Sequence, residues 1–296
     1  MDKKLPAGKG LYVWNIIDMP DMWVDKFQAM GITWIAVKVA DGVNSSNVRK
    51  MSGGGTVDDI LEPFVKAARL GGMQVFGWQY VYGFNPLDEA DKAARRTEEF
   101  KLDGFIIDAE HQYYGKYAQA HQYSTMLRQL MPDVPIGLST YRFPVIHPTL
   151  PYEEFLDICD FNAPQVYWNE GKSRQELETS YEQYENIKSL PFIPAGRAYY
   201  GEGFPKPTPA ETVDFLTTAQ ELGCPAAFFW SADRLWHRFQ SLPEIRLAIE
   251  KYEWIDDNGN GGSPQPPKTM TLNHLEAQYE NTVYETQNTI WLKKKE

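Results

Sequence analysis

The chain has 296 residues, of which 43% are hydrophobic and 23% charged, a balance that excludes a wholly disordered polymer. Its formal net charge of −11 excludes a general binder of phosphate backbones, which needs a basic face, so no nucleic-acid partner is expected. Aromatic residues stand out at 14%, with 9 Trp, 17 Tyr and 15 Phe.

The first ten residues are charged, and the apolar stretch that follows is short and broken by Asn15, so no signal-peptide pattern is present. No run approaches the ~18 apolar residues of a membrane span, so no transmembrane segment is expected. A protein made in the cytoplasm is expected, either virion-associated or released to the cell wall by a non-classical route. Short apolar or aromatic runs then recur at 10–17, 32–39, 73–81, 104–110, 134–140, 161–168, 192–198 and 226–231. Each has strand length, β-branched or aromatic enrichment, and Gly or Pro punctuation. Helix-like segments lie between them. One starts at Thr56-Val-Asp-Asp59 and ends at Leu70-Gly-Gly72. A second begins at Pro86, and a third runs from Thr208 to Leu222-Gly223. Eight strands alternating with eight connections predict an α/β fold, a (β/α)8 TIM barrel, over residues 1–254.

Residues 255–269 have the Gly, Pro and Asn composition of a flexible linker. In residues 270–296, Leu272, Leu275, Tyr279, Val283 and Ile290 recur at mostly helical intervals. They predict an amphipathic helix that docks on a protein partner or self-associates. Cys159 and Cys224 are too few for a disulfide framework and read as buried small apolar residues. The five histidines show no metal-ligand spacing, so neither a metal nor another cofactor is expected.

In such a barrel the chemistry sits at the C-terminal ends of the strands. Those ends carry Asp41, Trp78 and Tyr80, then Asp108 and Glu110, then Tyr141 and Arg142. Next come Gln165, Tyr167 and Asn169, then Tyr199, and finally Trp230 and Asp233. Asp108 and Glu110 are two residues apart, hence on one face of a strand. Two like charges that close raise the proton affinity of one of them, which prepares a general acid. Aromatic walls around a carboxylate pair suit a glycan and its cleavage.

Asp103-Gly-Phe-Ile-Ile-Asp-Ala-Glu110 resembles the strand-four signature of family 18 glycoside hydrolases, D-G-x-D-x-D-x-E. Gln165-Val-Tyr-Trp-Asn169 resembles their strand-six Q-x-Y-N variant, and Trp230-Ser-Ala-Asp233 their strand-eight W-S-x-D. The resemblance implies that Glu110 is the proton donor. It implies that Asp108 orients the substrate's N-acetyl group, which acts as nucleophile in a retaining reaction. Tyr167 would contact that acetamido group, and Trp230 would floor the central sugar site. Gly31 to Gly42 is similar to the strand-two region of family 25 lysozymes. More closely, residues 10–250 resemble a set of uncharacterised bacterial barrel proteins that share D-G-[FY]-[IV]-I-D-A-E, with Ser139-Thr-Tyr-Arg142 and Pro164 to Trp168. Two positions depart from the families: Ile106 stands where family 18 has a further Asp, and Tyr12 where family 25 has its strand-one Asp. The expected activity is hydrolysis of N-acetylhexosamine-containing glycans, peptidoglycan or chitin-like. The alternative is a barrel that binds glycan without cleaving it, tethered by its tail to a larger assembly such as a phage particle or cell-surface complex.

Overall fold

The computed structural model describes residues 3–50, 57–201, 203–237 and 241–255, and the backbone of 284–286 and 289–291. The chain divides into two compact units, Met1–Asp256 and Asp257–Glu296. In the first, eight parallel strands form a curled sheet: β1 (Gly8–Val13), β2 (Ile32–Asp41), β3 (Gln74–Val81), β4 (Gly104–Ala109), β5 (Ile136–Ser139), β6 (Phe161–Asn162), β7 (Ala195–Arg197) and β8 (Ala226–Trp230). Their spatial order is β7-β8-β1-β2-β3-β4-β5-β6. The ring closes between β6 and β7 through parallel bridges at Asn162↔Phe192 and Gln165↔Ala195. This is the (β/α)8 architecture that the alternation predicts.

Strand periodicity separates two cores. Leu11, Val13, Ile35, Val37, Phe105, Ile107 and Ala109 face outward and pack under the helices. Tyr12, Trp34, Phe76, Trp78, Ile106, Phe161 and Phe228 fill the barrel interior. The rings fit because glycines stand opposite them. A Cβ on Gly10 would lie 2.3 Å from Trp34, on Gly104 2.0 Å from Phe76, and on Gly137 2.2 Å from Phe161.

The helices start and stop where local chemistry dictates. After α1 (Trp23–Ala29), Asp59 Oδ1 accepts from the Leu61 amide at the head of α2 (Leu61–Leu70). α3 (Pro86–Glu99) has Pro at its first position. The helix Pro209–Glu221 carries a reciprocal capping box between Thr208 and Glu211. The final helix, Pro243–Lys251, is tied to β1 by Lys9, whose Nζ donates to the Ile249 and Tyr252 carbonyls at 2.6 Å each. Cys159 and Cys224 are free and buried. Among the described residues no helix is long and apolar enough to cross a membrane.

The strands toward the chain's C-terminal half are shorter than the sequence predicts. The run expected to form a strand over 161–168 pairs continuously only at Phe161–Asn162, because Pro164 supplies no amide donor and breaks the ladder. The tail departs further. Within the expected helix, Tyr284–Thr286 and Thr289–Trp291 pair antiparallel, with Tyr284 opposite Trp291 and Thr286 opposite Thr289. Thr, Ile, Tyr and Trp favour extended backbone there over the helical spacing. The linker and the rest of the predicted tail helix lie outside the described residues.

Candidate active site

On β4 the alternation places Ile106, Asp108 and Glu110 on one inward column. Ile106 is buried among the interior rings, so the acidic column begins one step higher, at Asp108. Asp108 is 5% exposed, and Glu110 follows it at the strand end, partly exposed. In register, Asp108 lies beside Tyr80 of β3 and Ser139 of β5.

Gln165 joins the two acids. Its Nε2 donates to Asp108 Oδ1 at 3.0 Å and to Glu110 Oε1 at 3.1 Å, with Ser139 Oγ at 3.4 Å. Only the amide nitrogen fits there, since a carbonyl oxygen would face two carboxylates. Burial pushes the Asp108 carboxyl well above the usual carboxylate range, reinforced by the Glu110 charge and opposed by Lys38 and Gln165. Burial also raises Glu110, opposed by the Gln165 hydrogen bond and His111. The pair therefore holds a proton at a pH where exposed carboxylates are ionised.

Lys38 is the neighbouring cation. Its Nζ lies 5.0 Å from the Trp78 ring, 5.6 Å from the Trp14 ring and 3.6 Å from Asp41 Oδ1. Trp230, at the end of β8, packs against Tyr12, Trp78 and Trp14, with centroids 5.1, 5.5 and 5.6 Å away. Trp14 is 41% exposed and extends the surface that Trp230 begins. Tyr80 donates to Gln112, and Tyr141 Oη accepts from the His111 amide at 3.0 Å. The His147 ring stacks on Tyr141 at 3.8 Å, so one face of that tyrosine is already occupied. Tyr167 meets Tyr199 edge to face at 5.6 Å, and burial raises its hydroxyl far up, with both carboxylates adding to the effect.

Asp108, Glu110, Gln165, Tyr80, Tyr141, Tyr167 and Trp230 thus come together. Other expected site residues have different employment. Trp78 is 1% exposed, with its Nε1 donating to the Val13 carbonyl, so it supports Trp230 from beneath rather than walling a sugar. Asn169 and Arg142 both engage Glu176, at 2.7 and 3.3 Å, and Arg142 also donates to the Tyr167 carbonyl. These two brace the β6 loop that carries Tyr167. Asp233 is buried and accepts from the Trp14 amide at 3.1 Å, which fixes Trp14 beside Trp230. Tyr199 is buried between Tyr167 and Phe204. Asp41 lies to one side and accepts from Tyr82 Oη at 3.0 Å.

Sequence reasoning missed Tyr12 and Trp14 as site residues. Tyr12 lies on the inward face of β1 with Gly10, Trp14 follows just past the strand's end at the next step of that alternation, and the alternation was the available signal. The Tyr12 hydroxyl is buried beside Ser139, Asp108 and Glu110. Among the described residues no group of His, Cys, Asp and Glu is arranged to hold a metal ion.

The chain's structure superimposes on that of a family 18 chitinase from Pseudoalteromonas aurantia with a TM-score of 0.60 at 15% identity, covering 82% of this chain and 98% of that one. A chitinase from Chromobacterium violaceum gives 0.59 at 10% identity, covering 83% and 98%. The likeness is one of fold. The same fold serves other proteins. A xylanase–α-amylase inhibitor protein in complex with trehalose matches with a TM-score of 0.55 at 14% identity, over 84% of this chain and all (100%) of that one. No protein-family profile and no curated protein matches the chain in sequence.

Proposed function

We propose that this barrel is a retaining glycoside hydrolase acting on N-acetylhexosamine-containing glycans of the chitin or peptidoglycan type. The observation that carries the reading is the buried carboxylate pair, Asp108 and Glu110, bridged by Gln165 and bordered by Trp230, Tyr80, Tyr141 and Tyr167. Glu110, more exposed than Asp108 and raised in proton affinity, donates its proton to the glycosidic oxygen as the C1–O bond breaks. The acetamido carbonyl oxygen of the sugar forms the new bond to C1. Asp108 accepts from the acetamido N–H as positive charge develops there, and Tyr167 Oη orients the group. Water then adds at C1 as the bond between C1 and the acetamido oxygen breaks, which regenerates the acetamide, and the water gives its proton to the Glu110 carboxylate, which restores the acid.

The departure at Ile106 and the match to an inhibitor protein favour a second reading, a barrel that holds glycan without cutting it. Turnover of an aryl N-acetylchitobioside and of peptidoglycan by the native chain and by Glu110→Gln separates the two. Loss of about 10²–10⁴ in turnover in the variant is expected for a general acid. No product from the native chain, with sugar binding intact, would sink the hydrolase reading.

A further inference from the structure

Asp108 and Glu110 lose their protons as a pair, and the proton that stays between the two steps can sit on either acid. A general acid at Glu110 needs that proton on Glu110 and the charge on Asp108. Two features of the site do not favour this form. Gln165 Nε2 reaches both acids at nearly the same distance, 3.0 and 3.1 Å, so it does not choose between them. Asp108 lies deeper than Glu110, and burial penalises charge. The balance therefore turns on a group that acts on Asp108 and not on Glu110.

Lys38 is placed to do this. Trp34 and Ala36 of β2 point into the barrel, and Lys38 is the next residue on that inward column. In register it stands beside Trp78 of β3, which stands beside Ile106 of β4. Asp41, Tyr80 and Asp108 form the row above. The lysine stem climbs from the lower row to the upper one, since Nζ lies 3.6 Å from Asp41 Oδ1. The ammonium is thus level with Asp108. It is flanked by the rings of Trp78 and Trp14, at 5.0 and 5.6 Å, and the residue is 8% exposed. So little contact with water leaves its charge weakly screened on the inner side. On the outer side the Asp41 side chain is 42% exposed and also accepts from Tyr82 Oη, so it neutralises the ammonium only in part.

The other groups facing the pair do not supply the same bias. Asp41 pushes charge off Asp108, and His111 acts on Glu110. Tyr12, Tyr80 and Tyr167 bring no charge, because burial raises all three hydroxyls. The pull of Lys38 is on Asp108.

We propose that Lys38 is a positioning residue for the proton, drawing the charge of the pair to Asp108 and so making Glu110 the acid that holds the proton. The inference deepens the proposed function and rests on it for the use made of that proton.

The test is carbon NMR of the full chain labelled at the side-chain carboxyls of aspartate and glutamate, followed through a pH titration. Asp108→Asn and Glu110→Gln identify the two resonances. The share of the Asp108 change that falls in the first deprotonation step gives the ratio of the two one-proton forms. Lys38→Met keeps the stem and removes the charge. It should move the ratio about tenfold toward the form with the proton on Asp108, the effect of about one pH unit on one member of the pair. Lys38→Gln, neutral but polar, should move it in the same direction, and Lys38→Arg should return most of the native ratio. A native ratio in either neutral variant overturns the proposal, as does a Lys38→Arg ratio equal to that of Lys38→Met. Loss of folding in both neutral variants also overturns it, since the lysine would then be a structural residue. None of these readings needs turnover, so the proposed function is judged separately, by hydrolysis of the aryl chitobioside by the native chain.

Discussion

Asp108 is buried at 5% exposure and faces Glu110, and together these outweigh what Lys38 and Gln165 give back to its ionised form. At neutral pH the site therefore stores unfavourable charge. Asp108→Asn keeps the shape and keeps an oxygen to accept from Gln165 Nε2, but removes the charge. Relieving a functional site in this way is worth about 1–2 kcal/mol. At ~2–4 °C per kcal/mol for a domain of this size, Tm should rise by roughly 2–8 °C at pH 7.5. The pH dependence follows from linkage. A carboxyl whose folded pKa is raised destabilises the fold as pH rises through that raised value, and costs nothing below the unfolded value. The gain should therefore shrink when calorimetry is repeated at pH 4.5. A variant that melts at or below the native temperature at pH 7.5, or one whose gain is the same at both pH values, would refute the reasoning.

Gln165→Leu removes a donor that lowers the proton affinity of both carboxyls, so the alkaline limb of the pH–rate profile should move upward. The same variant should lose about 1–3 kcal/mol of stability at pH 7, and less at pH 4, where the pair is protonated; urea titration at the two pH values measures it. Lys9 is pulled by burial from 10.5 down to about 8. Its charged form costs stability below pH 8, and the cost is relieved as pH rises from 8 toward 10.5. In Lys9→Met the increase in stability over that window should disappear; persistence of an equal increase would show that other groups produce it. Burial raises the thiol of Cys224 to about 12 and that of Cys159 further. A thiol reagent at pH 8 should label neither until denaturant is added, and rapid labelling in the folded state would contradict this burial.

Much of the site was legible because it depends on alternation within single strands. Asp108 and Glu110 share a face whatever the rest of the chain does, and Trp230 and Tyr167 follow the same rule. What sequence hid were choices of partner. Arg142 and Asn169 occupy strand ends, as substrate-binding residues do, but Glu176 on the next helix claims both. Asp233 is claimed by a backbone amide at the opposite end of the chain, that of Trp14. Trp78 was legible as inward-facing, yet its depth in the barrel depends on the register between β2 and β3, which pairs it with Lys38. The clasp made by Glu89 was hidden for a related reason. Nothing in the run of residues 82–85 signals that their four amides converge on its carboxylate. In the tail, helical spacing and β-branched composition gave opposing signals, and the backbone at 284–286 and 289–291 follows the second.

The join that closes the ring is its sparsest. β2 and β3 pair along Trp34–Asp41, whereas β6 and β7 meet at two isolated bridges. One of those bridges is made by the backbone of Gln165, opposite Ala195. The side chain that spans the two acids therefore grows from the stave at the ring's most sparsely paired join. Any breathing of the barrel at that stave draws Nε2 away from Asp108 and Glu110 and raises their hold on a proton. Mechanical looseness and acid strength are in this molecule a single coordinate.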